Sequence, residues 1–257
     1  MSQNKLIKIE SQDAQVESDL GASIKSYLLS GQFSDLTIRT IDQEFKVHRL
    51  VVCGQSEYFS RLYKGEWTET NTNDIPLHDD DPGAIQAMIH FMYGFDYDSS
   101  GSEHSRASPM LFTVKVYQVA DKYAVPQLKQ KAKEKFETIV QTCWQMDDFP
   151  VAIAEAYKCT LKTDQGLREP LVRISMEHMD TLLKNEAFVD VLENTTGFAS
   201  ELATILAKKK VANPKAKGYR CPGCSSKWMV DTSAGQNVTY CIGCGDSRQW
   251  SSYVVRD

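Results

Sequence analysis

Cys221, Cys224, Cys241 and Cys244 form two pairs with two residues inside each pair and sixteen between the pairs. Thiolates at this spacing offer four soft anionic ligands to one cation, and Zn²⁺ favours a closed tetrahedral shell of such ligands. Gly223 lies inside the first pair, Gly243 inside the second and Gly245 just after it, while Pro222 pre-sets the first turn. Each pair therefore reads as a knuckle, a turn that aims backbone amides at sulfur and leaves little room for a Cβ. Four thiolates leave no open coordination position, so the expected zinc is one per chain and structural. Two disulfides would use the same spacing but need an oxidising compartment. The amino terminus, Met1-Ser2-Gln3-Asn4-Lys5, leads into a polar stretch without a secretory core, so an intracellular chain is expected, in the nucleus and/or cytoplasm.

Other chemistry-bearing residues fall short of a catalytic set. His48 and Cys53 lie five positions apart on a helical pattern, on different faces, with no carboxylate spaced to orient the imidazole. No Ser-His-Asp order, phosphate-cradling glycine loop or paired-carboxylate site stands out, and a non-enzymatic protein is expected. Cys53, Cys143 and Cys159 sit in apolar helical patterns and read as small buried hydrophobes.

Charge is distributed unevenly. Residues 208–257 hold nine Lys/Arg against three Asp, or +6, which leaves −11 for the rest of a chain whose total is −5. Lys208, Lys209, Lys210, Lys215, Lys217, Arg220 and Lys227 alternate there with Tyr219, Trp228, Tyr240, Trp250 and Tyr253. Cations among aromatics suit phosphate contact and base stacking. A ribbon of some forty residues also needs its tryptophans as packing against the knuckles, and the basic run also fits a nuclear-localisation signal. No apolar run approaches the ~18 residues of a membrane span, so no membrane partner is expected.

The elements in front of the cysteines follow from periodicity. Residues 1–19 are polar, with Leu6, Ile7 and Ile9 able to form a short strand. Leu20–Leu29 reads as a helix with Ile24, Tyr27 and Leu28 on one face, stopped by Gly31. Asp35–Arg39 and Glu44–His48 alternate around Asp42-Gln43 as a hairpin. Arg49–Lys64 reads as one helix with Leu50, Val51, Tyr58, Phe59 and Leu62 inward, followed by an extended Ile75-Pro76-Leu77. Asp81-Pro82 opens a helix carrying Ile85, Met88, Ile89, Phe91 and Met92. A polar, Ser-rich insertion over 96–108 suits a surface loop and a phosphorylation target. Helices are expected over 109–122 and 126–141, the second with Leu128, Ala132, Phe136, Ile139 and Val140 inward, then at Phe149–Tyr157, Leu167–Met179, Glu186–Leu192 and Phe198–Leu206.

Phe33-Ser34-Asp35-Leu36-Thr37-Ile38, Phe45-Lys46-Val47-His48-Arg49-Leu50-Val51-Val52 and Ser56-Glu57-Tyr58-Phe59-Ser60-Arg61-Leu62 together closely resemble the BTB/POZ domain. Ile75 to Pro82, Phe91-Met92-Tyr93 and Ala120-Asp121-Lys122-Tyr123 with Leu128 continue the resemblance. It implies a BTB/POZ domain over 20–141, with its polar loop at 96–108, and a helical (BACK-like) extension over 142–207. With the residue-level reading of a flexible segment over 1–19, a basic linker over 208–217 and a β zinc ribbon over 218–257, the whole is an α+β chain. In this family the equivalents of Asp35 and Arg49 occupy a polar pocket at a dimer interface, which implies a homodimer with Leu20, Ile24 and Leu28 as apolar contacts. By themselves, Asp35 also reads as a turn cap and Arg49 as the first residue of a helix, and the three apolar residues can equally cover the monomer's own core. Many BTB proteins are substrate adaptors for cullin-based ubiquitin ligases and carry a hydrophobic-x-Glu motif after the helix that ends near Leu62; Trp67-Thr68-Glu69 stands at that place. The resemblance thus implies an interaction adaptor with a cullin and an unknown client as partners. The alternative is a nuclear, transcription-associated scaffold whose ribbon contacts nucleic acid.

Overall fold

In the computed structural model, residues 20–64, 73–97, 108–211, 216–231, 240–247 and 253–255 are described, and the chain falls into two compact units, up to Ala199 and from Ser200. The N-terminal stretch around Leu6, the Trp67-Thr68-Glu69 motif and most of the Ser-rich insertion lie outside the described residues.

Helix α1 covers residues 20–30 and ends as expected at Gly31, whose φ of 67° is left-handed and whose N–H donates to Tyr27 O at 2.8 Å. Strands β1 (Leu36–Arg39) and β2 (Glu44–Val47) pair antiparallel, with Leu36 opposite Val47 and Ile38 opposite Phe45. β3 (Asp74–Pro76) joins β1 in parallel, giving the order β2-β1-β3. Period-two alternation sends Leu36, Ile38, Val47 and Ile75 into one buried face.

The single helix expected over Arg49–Lys64 is instead two, α2 (Arg49–Gln55) and α3 (Glu57–Lys64). Ser56 breaks it with extended φ/ψ of −125° and 119°. Its buried hydroxyl donates to Tyr123 O at 2.6 Å and accepts from Phe59 N–H at 3.1 Å, bonds that compete with helix continuation. The break changes which side chains face inward. Phe59 and Val52 are fully buried, whereas Leu50 is 89% exposed and Tyr58 also faces solvent.

α4 (Pro82–Met92) starts where Asp81 caps it, accepting from Ala84 N–H at 3.0 Å. Ile85, Met88, Ile89 and Met92 are buried, Phe91 only half so. α5 (Pro109–Lys122) is capped by Ser108 and is buried on most of its circumference, the central helix of the unit. α6 (Pro126–Cys143) buries Leu128, Ala132, Phe136 and Val140 against it. Cys53, Cys143 and Cys159, expected to be buried, are each half-exposed.

Beyond α6 come α7 (Asp148–Cys159), α8 (Arg168–Glu177), α9 (Met179–Leu182), α10 (Glu186–Asn194) and α11 (Phe198–Val211). The stretch read as one helix over Leu167–Met179 is interrupted at His178, whose ring stacks on Trp144 at 3.8 Å. Arg168 is buried because it closes α7: Nη2 donates to Thr160 O at 2.6 Å, Nε donates to Thr160 Oγ1 at 3.0 Å, and the guanidinium covers the Tyr157 ring. A polar latch fixes the α7–α8 connection onto α5 and α6. Asp164 accepts from Tyr117 OH and Lys129 Nζ, each at 2.7 Å, and from Gly166 N–H at 3.0 Å. Gly166 has no room for a Cβ beside the Tyr117 hydroxyl. α7 and α8 therefore pack on the domain in front of them.

In the second unit β4 (Ala216–Arg220) lies between β5 (Lys227–Asp231) and β6 (Val254–Val255), both antiparallel to it. The stretch expected as a linker over 208–217 is helical as far as Val211 and enters β4 at Ala216. Among the described residues no helix is long and apolar enough to cross a membrane.

Candidate metal centre and interaction surfaces

β4 and β5 run into a tight turn that holds the first cysteine pair. Cys221 N–H donates to Ser226 O at 2.9 Å, and Ser225 N–H donates back to Cys221 O at 2.8 Å. The second pair repeats this frame: Cys241 N–H to Asp246 O and Gly245 N–H to Cys241 O, both at 2.8 Å. The residue after each pair is left-handed, Ser225 at φ 61° and Gly245 at φ 74°. The sequence located the glycine requirement partly at Gly223, where the backbone is not left-handed and the space around a Cβ is ordinary. The turn demands positive φ one residue after the second cysteine, and a serine meets that demand in the first knuckle.

The two turns bring the four sulfurs within 4.8 Å of one another. Cys221 Sγ lies 3.7 Å from Cys244 Sγ, and Cys224 Sγ lies 3.6 Å from Cys241 Sγ. A Zn–S bond of about 2.3 Å implies a tetrahedron edge of about 3.8 Å. A disulfide would need about 2.05 Å. Gly243 N–H donates to Cys241 Sγ at 3.3 Å, one of the amide–sulfur bonds a knuckle is expected to make. Four thiols this close cannot all ionise without a cation among them. The Ser226 hydroxyl and amide pull the Cys224 thiol down to about 6, while hydrogen bonding to Cys224 and Cys241 pushes Cys244 up to about 12. The donor set, spacing and unmet charge all fit one divalent soft cation.

Cys221 and Cys241 are buried over Tyr219 and Trp228, whose rings stack 5.9 Å apart with Val230 and Tyr253 alongside. These aromatics form the core of the ribbon and are not free for stacking. Tyr240 alone of the described aromatic candidates is exposed. Of the basic candidates, Lys208, Arg220 and Lys227 are exposed; Lys209 and Lys210 lie in α11, Lys217 in β4, and Lys215 is outside the described residues. Trp250 is outside them too.

On the first unit, Leu20, Leu29 and Phe33 are exposed around α1, while Ile24 and Leu28 are half-buried. Asp35 and Arg49 come together through the backbone: the Asp35 carboxylate accepts Arg49 N–H at 2.8 Å and so caps α2. The Arg49 side chain turns to Asn73, donating to Oδ1, and covers the Tyr63 ring. His48 is tied down from both ring nitrogens, to Tyr93 OH and Gln32 O, each at 2.7 Å. A groove of about 590 Å³, lined by Glu57, Tyr58, Arg61, Leu62, Ile75 and Pro76, has no signal in the sequence. It lies between α3, β3 and the end of α5, where Lys122 and Ala124 complete its wall, and the Trp67–Glu69 segment connects α3 to β3. Only the pairing of distant elements creates it.

Comparison with known proteins gives three findings. The family model for the BTB/POZ domain matches residues 24–139. The chain is similar to BTB/POZ and MATH domain-containing protein 4 of Arabidopsis thaliana, 24% identical over 92% of this chain, and to Kelch repeat and BTB domain-containing protein 1 of ectromelia virus (strain Moscow), 34% identical over 30% of it. It spans 51% of the first relative's length and 14% of the second's. A solved structure, the BTB domain of zebrafish PATZ1, aligns with 50% of this chain and 95% of its own at 15% identity and a TM-score of 0.38.

Proposed function

Residues 24–139 are a BTB/POZ domain, and from that premise we propose that the chain is a non-enzymatic protein-interaction adaptor that pairs with a second copy of itself and delivers a client to a cullin-based ubiquitin ligase. The observation that carries this reading is the pair of uncovered surfaces on the first unit. Leu20 and Leu29 on α1 and Phe33 just after it are exposed, where a second copy would cover them. The α3–β3 groove opens beside the segment that holds Trp67 and Glu69. A large aromatic anchor with a neighbouring carboxylate suits such a groove-side contact. From Glu66 to Glu103 the chain carries nine acidic residues and no Lys or Arg, which favours docking on a basic partner. The relatives' names join BTB domains to MATH or kelch modules. In this chain the helical extension and the ribbon would take the place of such modules as client readers. The protein works inside the cell, in the nucleus and/or cytoplasm.

Light scattering after gel filtration should give twice the chain mass, and Leu20→Asp with Ile24→Asp should shift it to one. Co-purified cullin should be lost on Trp67→Ala/Glu69→Ala. Recovery that is absent from wild type, or unchanged in the variant, rejects the adaptor role. The ribbon holds one structural zinc on Cys221, Cys224, Cys241 and Cys244; metal analysis of reduced, metal-replete protein finding none would reject that assignment.

A further inference from the structure

The two knuckles provide an internal control. They share one hydrogen-bond frame, yet equivalent positions differ: Arg220 against Tyr240 before the pair, Pro222 against Ile242 inside it, Lys227 against Ser247 after it. The first knuckle closes with Arg and Pro, so the turn itself does not require Tyr240 or Ile242. Both nevertheless stand in solvent, 59% and 67% exposed, on a module too small to spare apolar surface. The first knuckle carries the opposite oddity. Strand register places Arg220 directly opposite Lys227, an arrangement in which like charges repel, and both are exposed. Four thiolates around Zn²⁺ carry −2, which lowers the +6 of residues 208–257 to about +4, so the metal-loaded tail stays cationic.

We propose that the ribbon binds single-stranded nucleic acid, with phosphates at Arg220 and Lys227 and an unstacked base on Tyr240 beside Ile242. Each unit of such a strand joins an anion to a flat apolar face, the two chemistries the two knuckles display. A duplex hides its base faces, so it satisfies only the cations. Exposed Lys208 precedes the first knuckle in the chain and adds a third, sequence-independent phosphate contact. The inference rests on the zinc reading, because the knuckles present these residues only when clamped.

The test uses the full chain, with zinc measured in every sample, and fluorescence anisotropy of labelled twenty-nucleotide oligo-U, oligo-dT and a duplex of equal length. Single strands should bind in preference to the duplex, with affinity falling ~20-fold between 50 and 200 mM salt if three phosphates are neutralised. Tyr240→Ala should retain zinc and weaken the single strand at least ~5-fold. Arg220→Gln/Lys227→Gln should flatten the salt dependence. Zinc-loaded protein that ignores oligo-U and oligo-dT at 50 mM salt overturns the proposal. So does binding untouched by Tyr240→Ala, duplex bound as tightly as single strand, or a glutamate–tyrosine copolymer that displaces the strand at equal concentration. Wild-type protein without zinc overturns the metal reading itself.

Discussion

The two units of this chain reach order by opposite means. The first buries Phe59, Phe136, Phe149, Phe188 and Phe198 completely and needs no ligand to account for its packing. Among the described residues the ribbon buries two aromatics and two cysteines, and its four clustered sulfurs are placed to hold the ion that would supply the remaining cohesion. Small modules below the size of a self-sufficient core need such a staple. The difference also separates what each unit can do. In the first, the core leaves its surfaces free for partners; in the second, the fold and the cysteine cluster are the same object.

The sharpest way to break this contrast is to remove the metal. Chelation or Cys221→Ser should unfold the ribbon alone, since structural zinc supplies on the order of 10 kcal/mol of apparent folding free energy. Circular dichroism should retain the helical signal of the first unit while the environment of Trp228 changes. Loss of both together would mean that the units are not independent. The reciprocal cut is Phe136→Ala, which opens a cavity at a fully buried site. It should cost the first unit about 3–5 kcal/mol in denaturant melts and leave zinc content at one per chain.

A smaller effect tests the polar latch. Burial pushes Asp164 up, but hydrogen bonds from Lys129, Tyr117 and Gly166 outweigh it and hold the carboxyl below its usual range. Its contribution is therefore present above the unfolded value near 4 and is lost as pH falls through the depressed folded value. Asp164→Asn should cost roughly 2 kcal/mol at pH 7, raise amide exchange in α7 and α8, and flatten the acid limb of the stability profile. An unchanged exchange pattern would show that apolar packing alone fixes the extension. The smallest expected effect is Ser56→Ala, about 1–2 kcal/mol from the lost bonds to Tyr123 O and Phe59 N–H, read in thermal melts.

Much of the architecture was legible because its signals are local. Asp81-Pro82, Pro109 and Pro126 mark helix starts, Gly31 marks a stop, and alternation around Asp42-Gln43 specifies the hairpin and its register. The cysteine spacing identified the clustered ligands. The errors share a different cause. Arg49–Lys64 has unbroken helical periodicity, and only a carbonyl 67 residues away gives Ser56 a reason to interrupt it. The same periodicity assigns Leu50 and Tyr58 to the core, and the interrupted helix leaves both outside. For Asp35 and Arg49 the sequence leaves an interface pocket and local roles both open, and only the folded chain shows which groups they meet: the carboxylate takes a backbone amide while the guanidinium goes to Asn73 and Tyr63. Five aromatics in the tail looked alike in sequence; stacking on the sheet made Tyr219 and Trp228 core and left Tyr240 in solvent.

By itself, then, the sequence determined the hairpin and helix starts and stops of the first unit and the four thiols at metal-binding spacing. These depend on interactions within a few residues, where side-chain type and period dictate the outcome. The tertiary structure decided which apolar residues stay uncovered, where the α3–β3 groove opens, how the helical extension is latched and how the two knuckles divide charge from aromatic surface. Those features need groups far apart in the chain to meet, and no local period records which of several competing partners a side chain will find.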